Sequence, residues 1–217
     1  RRVLFRSGES AACTITNDDQ APSLVLDKIV VNNNGGTAAE SDWTLFANDG
    51  PTPISGPGAA GSTDVQSGID FEAGTYNLSE STGPDGYTAS SWSCVGGSLS
   101  GASITLALGE SANCTITNDD DAVSLTLNKV VTNDNGGVAV PSDWTLSAAG
   151  PTPLSGPGPS VSSPANFKAG SYVLSESTGP DGYTASDWLC DGGSLDGNTL
   201  TMALGESVTC TITNDDD

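Results

Sequence analysis

The chain has 217 residues, no histidine and a formal net charge of -21 at pH 7, from 27 acidic and 6 basic residues. This charge argues against binding to nucleic acid or anionic membrane surfaces, because both attract clustered lysine and arginine. The lack of histidine removes the most frequent general base and metal ligand, so we expect neither an enzyme nor a cofactor. No apolar run reaches the roughly 18 residues that a membrane helix needs, so no membrane insertion is predicted.

Residues 1–7, RRVLFRS, differ in character from everything that follows. They contain all three arginines of the chain, which leaves Lys28, Lys129 and Lys168 as the other cations. The codons AGA CGT GTG CTC TTC CGA TCT encode this segment and resemble the end of a sequencing adapter. We therefore predict an assembly artefact and exclude the segment from the fold. A genuine basic terminus is the alternative.

Two near-identical repeats follow. SLVLDKIVVNNNGG, from Ser23, returns as SLTLNKVVTNDNGG, from Ser124, and the closing LALGESANCTITNDDD returns as MALGESVTCTITNDDD. The predicted repeats cover residues 21–120 and 121–217. Residues 8–20 match only the end of the unit, so we expect the C-terminal strand of a truncated preceding repeat, an orphan strand from a longer array.

Each repeat shows the two-residue alternation of half-buried β-strands. Leu24, Leu26, Lys28 and Val30 share one strand face, and a turn with Asn and Gly follows. About seven short strands separated by turns are predicted for each repeat, with no helical spacing that competes. The expected fold class is all-β, with tandem antiparallel β-sandwiches of the immunoglobulin-like or prealbumin-like type.

Three polar side chains in each repeat fall in phase with core residues. They are Lys28, Glu80 and Asn118 in the first repeat and Lys129, Glu176 and Asn214 in the second. Burial of a lone ammonium or carboxylate costs several kcal/mol, so their placement needs a reason. One hypothesis is that the three groups meet inside the sandwich and react. In the other, each lysine extends to the sandwich edge and pairs with surface acids.

These residues resemble a known family. The lysine in L-x-K-x-V, the box Y-x-L-S-E-x-x-x-P-x-G-Y (Tyr76 to Tyr87 and Tyr172 to Tyr183) and the asparagine of T-I-T-N are similar to prealbumin-like repeats of Gram-positive pilins and B-type repeats of collagen-binding adhesins. The resemblance covers residues 21–217. It implies intramolecular isopeptide bonds, Lys28 to Asn118 assisted by Glu80 and Lys129 to Asn214 assisted by Glu176.

Burial makes this chemistry plausible, because it favours the neutral forms of both lysine and glutamic acid. A neutral amine is the nucleophile, and a protonated glutamic acid relays a proton as ammonia leaves. The reaction is a single self-modification without turnover. A buried lysine–glutamate ion pair without a bond is the alternative.

The cysteines set this chain apart from the resembled family. Cys94 and Cys114 are 20 positions apart, as are Cys190 and Cys210, whereas Cys13 is left over. The repeated spacing in an acidic chain favours one disulfide per repeat, contributing about 3 kcal/mol. Free buried thiols are the alternative. Zinc is disfavoured, because there is no C-x-x-C pair and no histidine.

Acidic residues gather where one repeat meets the next. Asp119, Asp120 and Asp134 are weak candidates for calcium ligands, since Ca²⁺ prefers several carboxylate oxygens. The spacing matches no known calcium loop, so a solvated acidic linker is favoured.

The predicted function is a structural stalk in a secreted or cell-surface bacterial protein, with neighbouring repeats as the first partners. A host or matrix protein or a glycan is a further candidate partner. The alternative is an adhesive module in which Trp92 and Trp188 hold a carbohydrate or protein ligand. An enzyme is disfavoured because the many serines have no histidine to activate them.

Overall fold

The computed structural model describes residues 7–8, 10, 12–59 and 65–217. The predicted artefact at residues 1–7 lies outside the described residues except for Ser7. Residues 12–20 are exposed and form no strand, so the expected orphan strand is not seen in the described part of that segment.

The first repeat folds as a sandwich of two five-stranded sheets. Its strands are β1 Ser23–Val31, β2 Thr44–Asn48, β3 Ile54–Pro57, β4 Val65–Gln66, β5 Gly74–Glu80, β6 Tyr87–Ala89, β7 Ser93–Val95, β8 Ser98–Ser100, β9 Ser103–Leu106 and β10 Ser111–Asp120. One sheet has the order β4-β1-β10-β6, with β7 also paired to β10, and the other has the order β3-β2-β5-β9-β8.

The second repeat has the same architecture. Its strands are β11 Ser124–Thr132, β12 Thr145–Ala149, β13 Leu154–Pro157, β14 Ser160–Ser162, β15 Gly170–Glu176, β16 Tyr183–Ala185, β17 Leu189–Asp191, β18 Ser194–Asp196, β19 Thr199–Met202 and β20 Ser207–Asp216. The only described helices are single 3-10 turns at Glu40–Asp42 and Pro141–Asp143. The predicted all-β sandwich class is therefore confirmed.

The first and last strands of each repeat run parallel, which the antiparallel prediction did not anticipate. β1 pairs with β10 over nine residues, from Ser23 opposite Ser111 to Val31 opposite Asp119, while the other pairs in that repeat are antiparallel. Both strands can run the same way because the chain between them crosses to the second sheet and back. This pairing brings Lys28 on β1 close to Asn118 on β10.

Each core lies between the two sheets of its sandwich and is built from the alternating apolar residues. Leu24 and Leu26 of β1 face Leu45, Tyr76 and Ile104 of the other sheet, all essentially without exposure. The second core repeats this arrangement around Leu125, Leu127, Leu146, Tyr172 and Leu200. Leu108, in the turn beyond β9, is exposed and lies outside this core, because the strand ends at Leu106.

The two sandwiches meet at a short hydrogen-bonded joint. Only residues 121–123 separate β10 from β11. Asp121 donates its N–H to the Gly86 carbonyl (2.8 Å) and accepts the Gly205 N–H at its own carbonyl (3.2 Å). A third bond crosses directly between the sandwiches, from the Ala169 N–H to the Asn34 carbonyl (2.7 Å). These three bonds define the joint.

Gly35 tests this joint, because a Cβ there would lie 2.9 Å from both the backbone N and O of Ala169. We expect Gly35→Ala to break the bond between Asn34 and Ala169 and to speed hydrogen exchange of the Ala169 amide about tenfold or more. Gly136→Ala is the matched control: φ is +103° at Gly35 and +99° at Gly136, so the backbone strain is similar, but nothing lies within 4 Å of a Cβ at Gly136. Equal acceleration in both variants would refute the joint.

Candidate functional site

The three in-phase polar residues of the first repeat meet inside the sandwich. Lys28 comes from β1, Glu80 from the end of β5 in the opposite sheet and Asn118 from β10. Lys28 Nζ lies 2.5 Å from Glu80 Oε2, and Asn118 Nδ2 donates to Glu80 Oε1 at 3.0 Å. The Lys28 side chain is fully buried and that of Glu80 is 13% exposed. The lysine therefore does not extend to the sandwich edge.

The second repeat builds the same triad. Lys129 Nζ lies 2.7 Å from Glu176 Oε2 and also donates a hydrogen bond to Asn214 Oδ1. Burial lowers the pKa of Lys129, and this effect outweighs the hydrogen bond and charge of Glu176, which raise it. The neutral form of the amine is thus favoured more than in an exposed lysine. The amine already contacts the amide with which it is predicted to react.

One atom of the first triad has no hydrogen-bond partner among the described residues. The side-chain carbonyl oxygen of Asn118, Oδ1, is buried without a donor. A buried unsatisfied carbonyl costs about 1–3 kcal/mol. Glu80 contacts the same side chain through Oε1, which accepts the hydrogen bond from Asn118 Nδ2. This oxygen is therefore open to a hydrogen-bond donor during a reaction at the Asn118 amide.

A tryptophan forms the floor of each triad. Lys28 Nζ lies 4.7 Å from the centroid of the Trp43 ring, and Lys129 Nζ lies 4.8 Å from that of Trp144. The ring faces shield the amines from water and attract positive charge. This role of Trp43 and Trp144 was not predicted from the sequence. A tryptophan at the same position of both repeats was the available signal.

A family model described as the prealbumin-like fold domain matches residues 19–116 and 120–212. This chain belongs to the prealbumin-like fold domain family. The predicted resemblance is therefore confirmed over both repeats. No curated protein matches the sequence.

Solved structures similar to this chain include a Bacillus anthracis protein, a pilin and a pilus adhesin. The Bacillus anthracis TIE protein is 15% identical with a TM-score of 0.50, over 89% of this chain and 34% of that one, so this chain spans about a third of that protein's structure. The major pilin T-13 of Streptococcus pyogenes is 14% identical (TM-score 0.43; 93% and 98% covered). The C-terminal fragment of the pilus adhesin SpaC from Lactobacillus rhamnosus GG is 13% identical (0.45; 89% and 97%). At 15% identity, the likeness to the TIE protein shows a shared fold only.

Each prealbumin-like repeat carries the predicted disulfide. Cys94 on β7 bonds to Cys114 on β10 with an S–S distance of 2.03 Å, and the same bridge joins Cys190 and Cys210. The paired cysteines lie directly opposite each other on antiparallel strands, which brings their Cα atoms to 4.0 Å, below the usual range of about 4.4–6.8 Å. Cys13 is exposed and unpaired.

Asp120, predicted as a weak calcium ligand, anchors a loop, and calcium binding by it stays a prediction. Its buried carboxylate accepts the backbone N–H groups of Asn33 (2.9 Å), Asn34 (2.8 Å) and Gly36 (2.7 Å). These donors fix the loop after β1 onto the end of β10, and their polarity favours an anion over a cation. Asp120 is thus a loop anchor. Sequence analysis grouped it with the exposed acids because the loop and the strand end lie 84 or more positions apart.

The other calcium candidates lie at the surface. Asp119 is exposed on β10, opposite Thr88 of β6. In the second repeat the carboxylate oxygens of Asp134, Asp215 and Asp216 lie within 4.8 Å of one another. The first repeat has Asn33 where the second has Asp134, so this grouping is not a shared feature of the repeats. Calcium binding by Asp119 or Asp134 remains a prediction.

Asp216 repeats the anchor and makes the second sandwich sensitive to acid. Burial raises the pKa of its carboxyl, but the N–H donors of Gly137, Asn135 and Asp134 outweigh that effect and hold the pKa below its usual value. The anchor's contribution to stability is therefore complete above about pH 4 and is lost as pH falls through the lowered folded-state pKa. We expect urea unfolding of the wild type and of Asp216→Asn to differ at pH 7 and to converge near pH 2. A difference that grows on acidification would contradict this assignment.

Among the described residues, no helix has the length and apolarity to cross a bilayer.

Proposed function

We propose that the two sandwiches are structural repeats of a bacterial cell-surface protein, each stabilised by one disulfide and one lysine–asparagine isopeptide bond. The observation that carries this proposal is the buried Lys–Glu–Asn triad, present in both repeats with the lysine Nζ within 2.7 Å of the glutamate. An ion pair alone is a weak reason to bury these groups, because apolar side chains of similar size stabilise a core as well or better.

The geometry supports a condensation. Neutral Lys28 Nζ attacks Asn118 Cγ, so that an Nζ–Cγ bond forms. Protonated Glu80 donates to Oδ1 as negative charge develops there and relays the proton from Nζ to Nδ2. The Cγ–Nδ2 bond then breaks, and Nδ2 leaves as ammonia. No oxidant or cofactor is required, and the site reacts once.

The disulfides support an extracellular location. Structural disulfides persist in oxidising environments and are rare in reducing ones, and here each repeat holds one. The net charge of -21 keeps such a protein soluble and discourages contact with anionic surfaces. Both properties support a position of the repeats outside the cell.

The adhesive alternative loses its main candidate surface. Trp43, Trp92, Trp144 and Trp188 are all buried in the cores or under the triads, so none offers its ring face to a ligand. We propose no enzymatic turnover for the described residues and assign the triads a single self-modification.

Intact mass after full reduction of the disulfides tests the proposal. The wild type should weigh less than its sequence by two molecules of ammonia, and protease digestion should yield branched peptides that link Lys28 to Asn118 and Lys129 to Asn214. In Lys28→Ala the mass deficit should fall from two molecules of ammonia to one. In Lys168→Ala, at an exposed lysine, the deficit should remain two. A wild-type mass equal to that of the uncondensed sequence would falsify the isopeptide bonds and leave only buried ion pairs.

A further inference from the structure

The glycines at the C-terminal ends of the two sandwiches have matching conformations but different surroundings. A Cβ at Gly35 would lie 2.9 Å from the Ala169 backbone, and one at Gly86 would lie 2.4 Å from Leu204 Cβ, so both glycines make room for the second sandwich. Their counterparts Gly136 and Gly182 have nothing within 4 Å. The φ angles agree within each pair, +103° with +99° and +81° with +82°. The second sandwich therefore carries a preformed copy of the surface that makes the joint.

We infer that this C-terminal end face, defined here as residues 135–138 and Gly182, is a docking surface for another sandwich of the same repeat sequence. In the joint, the Asn34 carbonyl accepts the Ala169 N–H. Asn135 corresponds to Asn34, and its side chain and N–H are held by Asp216 as those of Asn34 are held by Asp120. The Asn135 carbonyl is thus oriented to accept the same amide from an incoming repeat.

Exposed apolar side chains mark the same end face. Val138 is 89% exposed, at the position where the first repeat has Thr37, and the exposed Val140 lies just beyond the end face. In the first repeat, Thr37 and Ala38 line the groove at the joint together with Ala169 and Leu204 of the second sandwich. Two exposed valines beside an open glycine loop have more apolar surface to bury than the corresponding residues of the existing joint.

Charge specifies which kind of repeat fits. The end face lies beside the clustered carboxylates of Asp134, Asp215 and Asp216. In the docking repeat, the residue directly before the alanine that donates its N–H decides the charge of the contact. This residue is Lys168 in the second repeat and Glu72 in the first. A lysine there meets the acidic end favourably, whereas a glutamate adds repulsion. The fitting partner is therefore a repeat of the second type, with lysine at this position and a leucine equivalent to Leu204.

The inference deepens the proposed structural role but does not need the isopeptide bond. Intact mass tests the isopeptide bond and amide exchange tests the docking surface, so the two proposals can fail separately. The test protein is the full chain extended after Asp217 by a second copy of residues 122–217, which reproduces the spacing of the existing joint. Hydrogen exchange of the Ala169 amide is read in both copies. We expect the added Ala169 to be protected within about threefold of the original. Exchange of the added amide at the rate of an unstructured peptide, with the original still protected, would overturn the docking surface.

Variants of the extended chain separate docking from general stability. Gly136→Ala should abolish protection of the added Ala169 alone. Gly197→Ala is the control, since that glycine also has positive φ (+57°) and open surroundings but lies outside the end face. Lys168→Glu in the added copy should speed exchange there about fivefold or more at low salt, with a smaller effect at 1 M NaCl. If Gly197→Ala and Gly136→Ala act alike, or if Lys168→Glu has no effect, the assigned contacts are wrong.

Discussion

Alanine in place of Glu80 is expected to destabilise the first sandwich by about 3–5 kcal/mol, because the buried Lys28 then loses the carboxylate that balances its charge. The Lys28 side chain is fully buried, and Glu80 Oε2 lies 2.5 Å from its Nζ. The same substitution removes the proton relay, so the ammonia loss assigned to the first repeat should disappear while that of the second remains. Amide exchange of β1 and β10 gives the stability, and intact mass gives the condensation.

Glu72→Ala is the matched control, since Glu72 is an exposed carboxylate shortly before the same strand. It should change stability by no more than about 0.5 kcal/mol and leave the mass unchanged. The mirror variant Glu176→Ala should affect only the second sandwich. If Glu80→Ala left both the stability and the mass as in the wild type, neither the ion pair nor the bond would be supported.

Asp120→Ala is the second substitution with a large expected effect. It removes the buried carboxylate that accepts the N–H groups of Asn33, Asn34 and Gly36 in partly buried hydrogen bonds. Each orphaned donor costs about 1–3 kcal/mol, so the first sandwich should lose about 3 kcal/mol or more. Because Asn34 also holds Ala169 across the joint, the Ala169 amide should exchange faster as well. Urea unfolding and amide exchange measure the two effects.

Asp119→Ala serves as the comparison, because this neighbouring carboxylate is exposed. It should leave both the unfolding midpoint and the Ala169 exchange rate nearly unchanged. Asp120→Asn retains one acceptor oxygen and should fall between the wild type and Asp120→Ala. Equal effects of Asp119→Ala and Asp120→Ala would mean that the backbone N–H groups do not depend on this carboxylate.

The triads were predictable because they break an otherwise regular alternation. Lys28 follows Leu24 and Leu26 at the two-residue spacing, and Glu80 follows Tyr76 and Leu78 in the same way. A buried charge needs a partner on another strand, and few polar residues of the other strands were in phase with core residues. The disulfides were predictable for a similar reason, since equal spacing in two repeats left one pairing within each.

The anchor and the joint were not predictable, because they depend on backbone groups. The loop at Asn33 to Gly36 has the composition of any turn, and only its three-dimensional position shows that Asp120 collects its N–H groups. A glycine in the turn after β1 permits a positive φ at Gly35, and the sequence shows this. The closeness of Gly35 to Ala169 involves another domain, which the sequence does not show. The parallel pairing of β1 and β10 was missed because strand direction is set by the path of the chain between them.

That parallel pairing determines how each repeat carries mechanical tension. When the ends of the chain are pulled apart, β1 is drawn toward Ser23 and β10 toward Asp120, so two neighbouring strands slide in opposite directions along their shared length. The hydrogen bonds between the two strands, from the Ser23–Ser111 pair to the Val31–Asp119 pair, are then loaded together in shear. They do not break one after another. A covalent link from Lys28 to Asn118 would span these same two strands, and force would pass through it while residues 29–117 stayed unloaded.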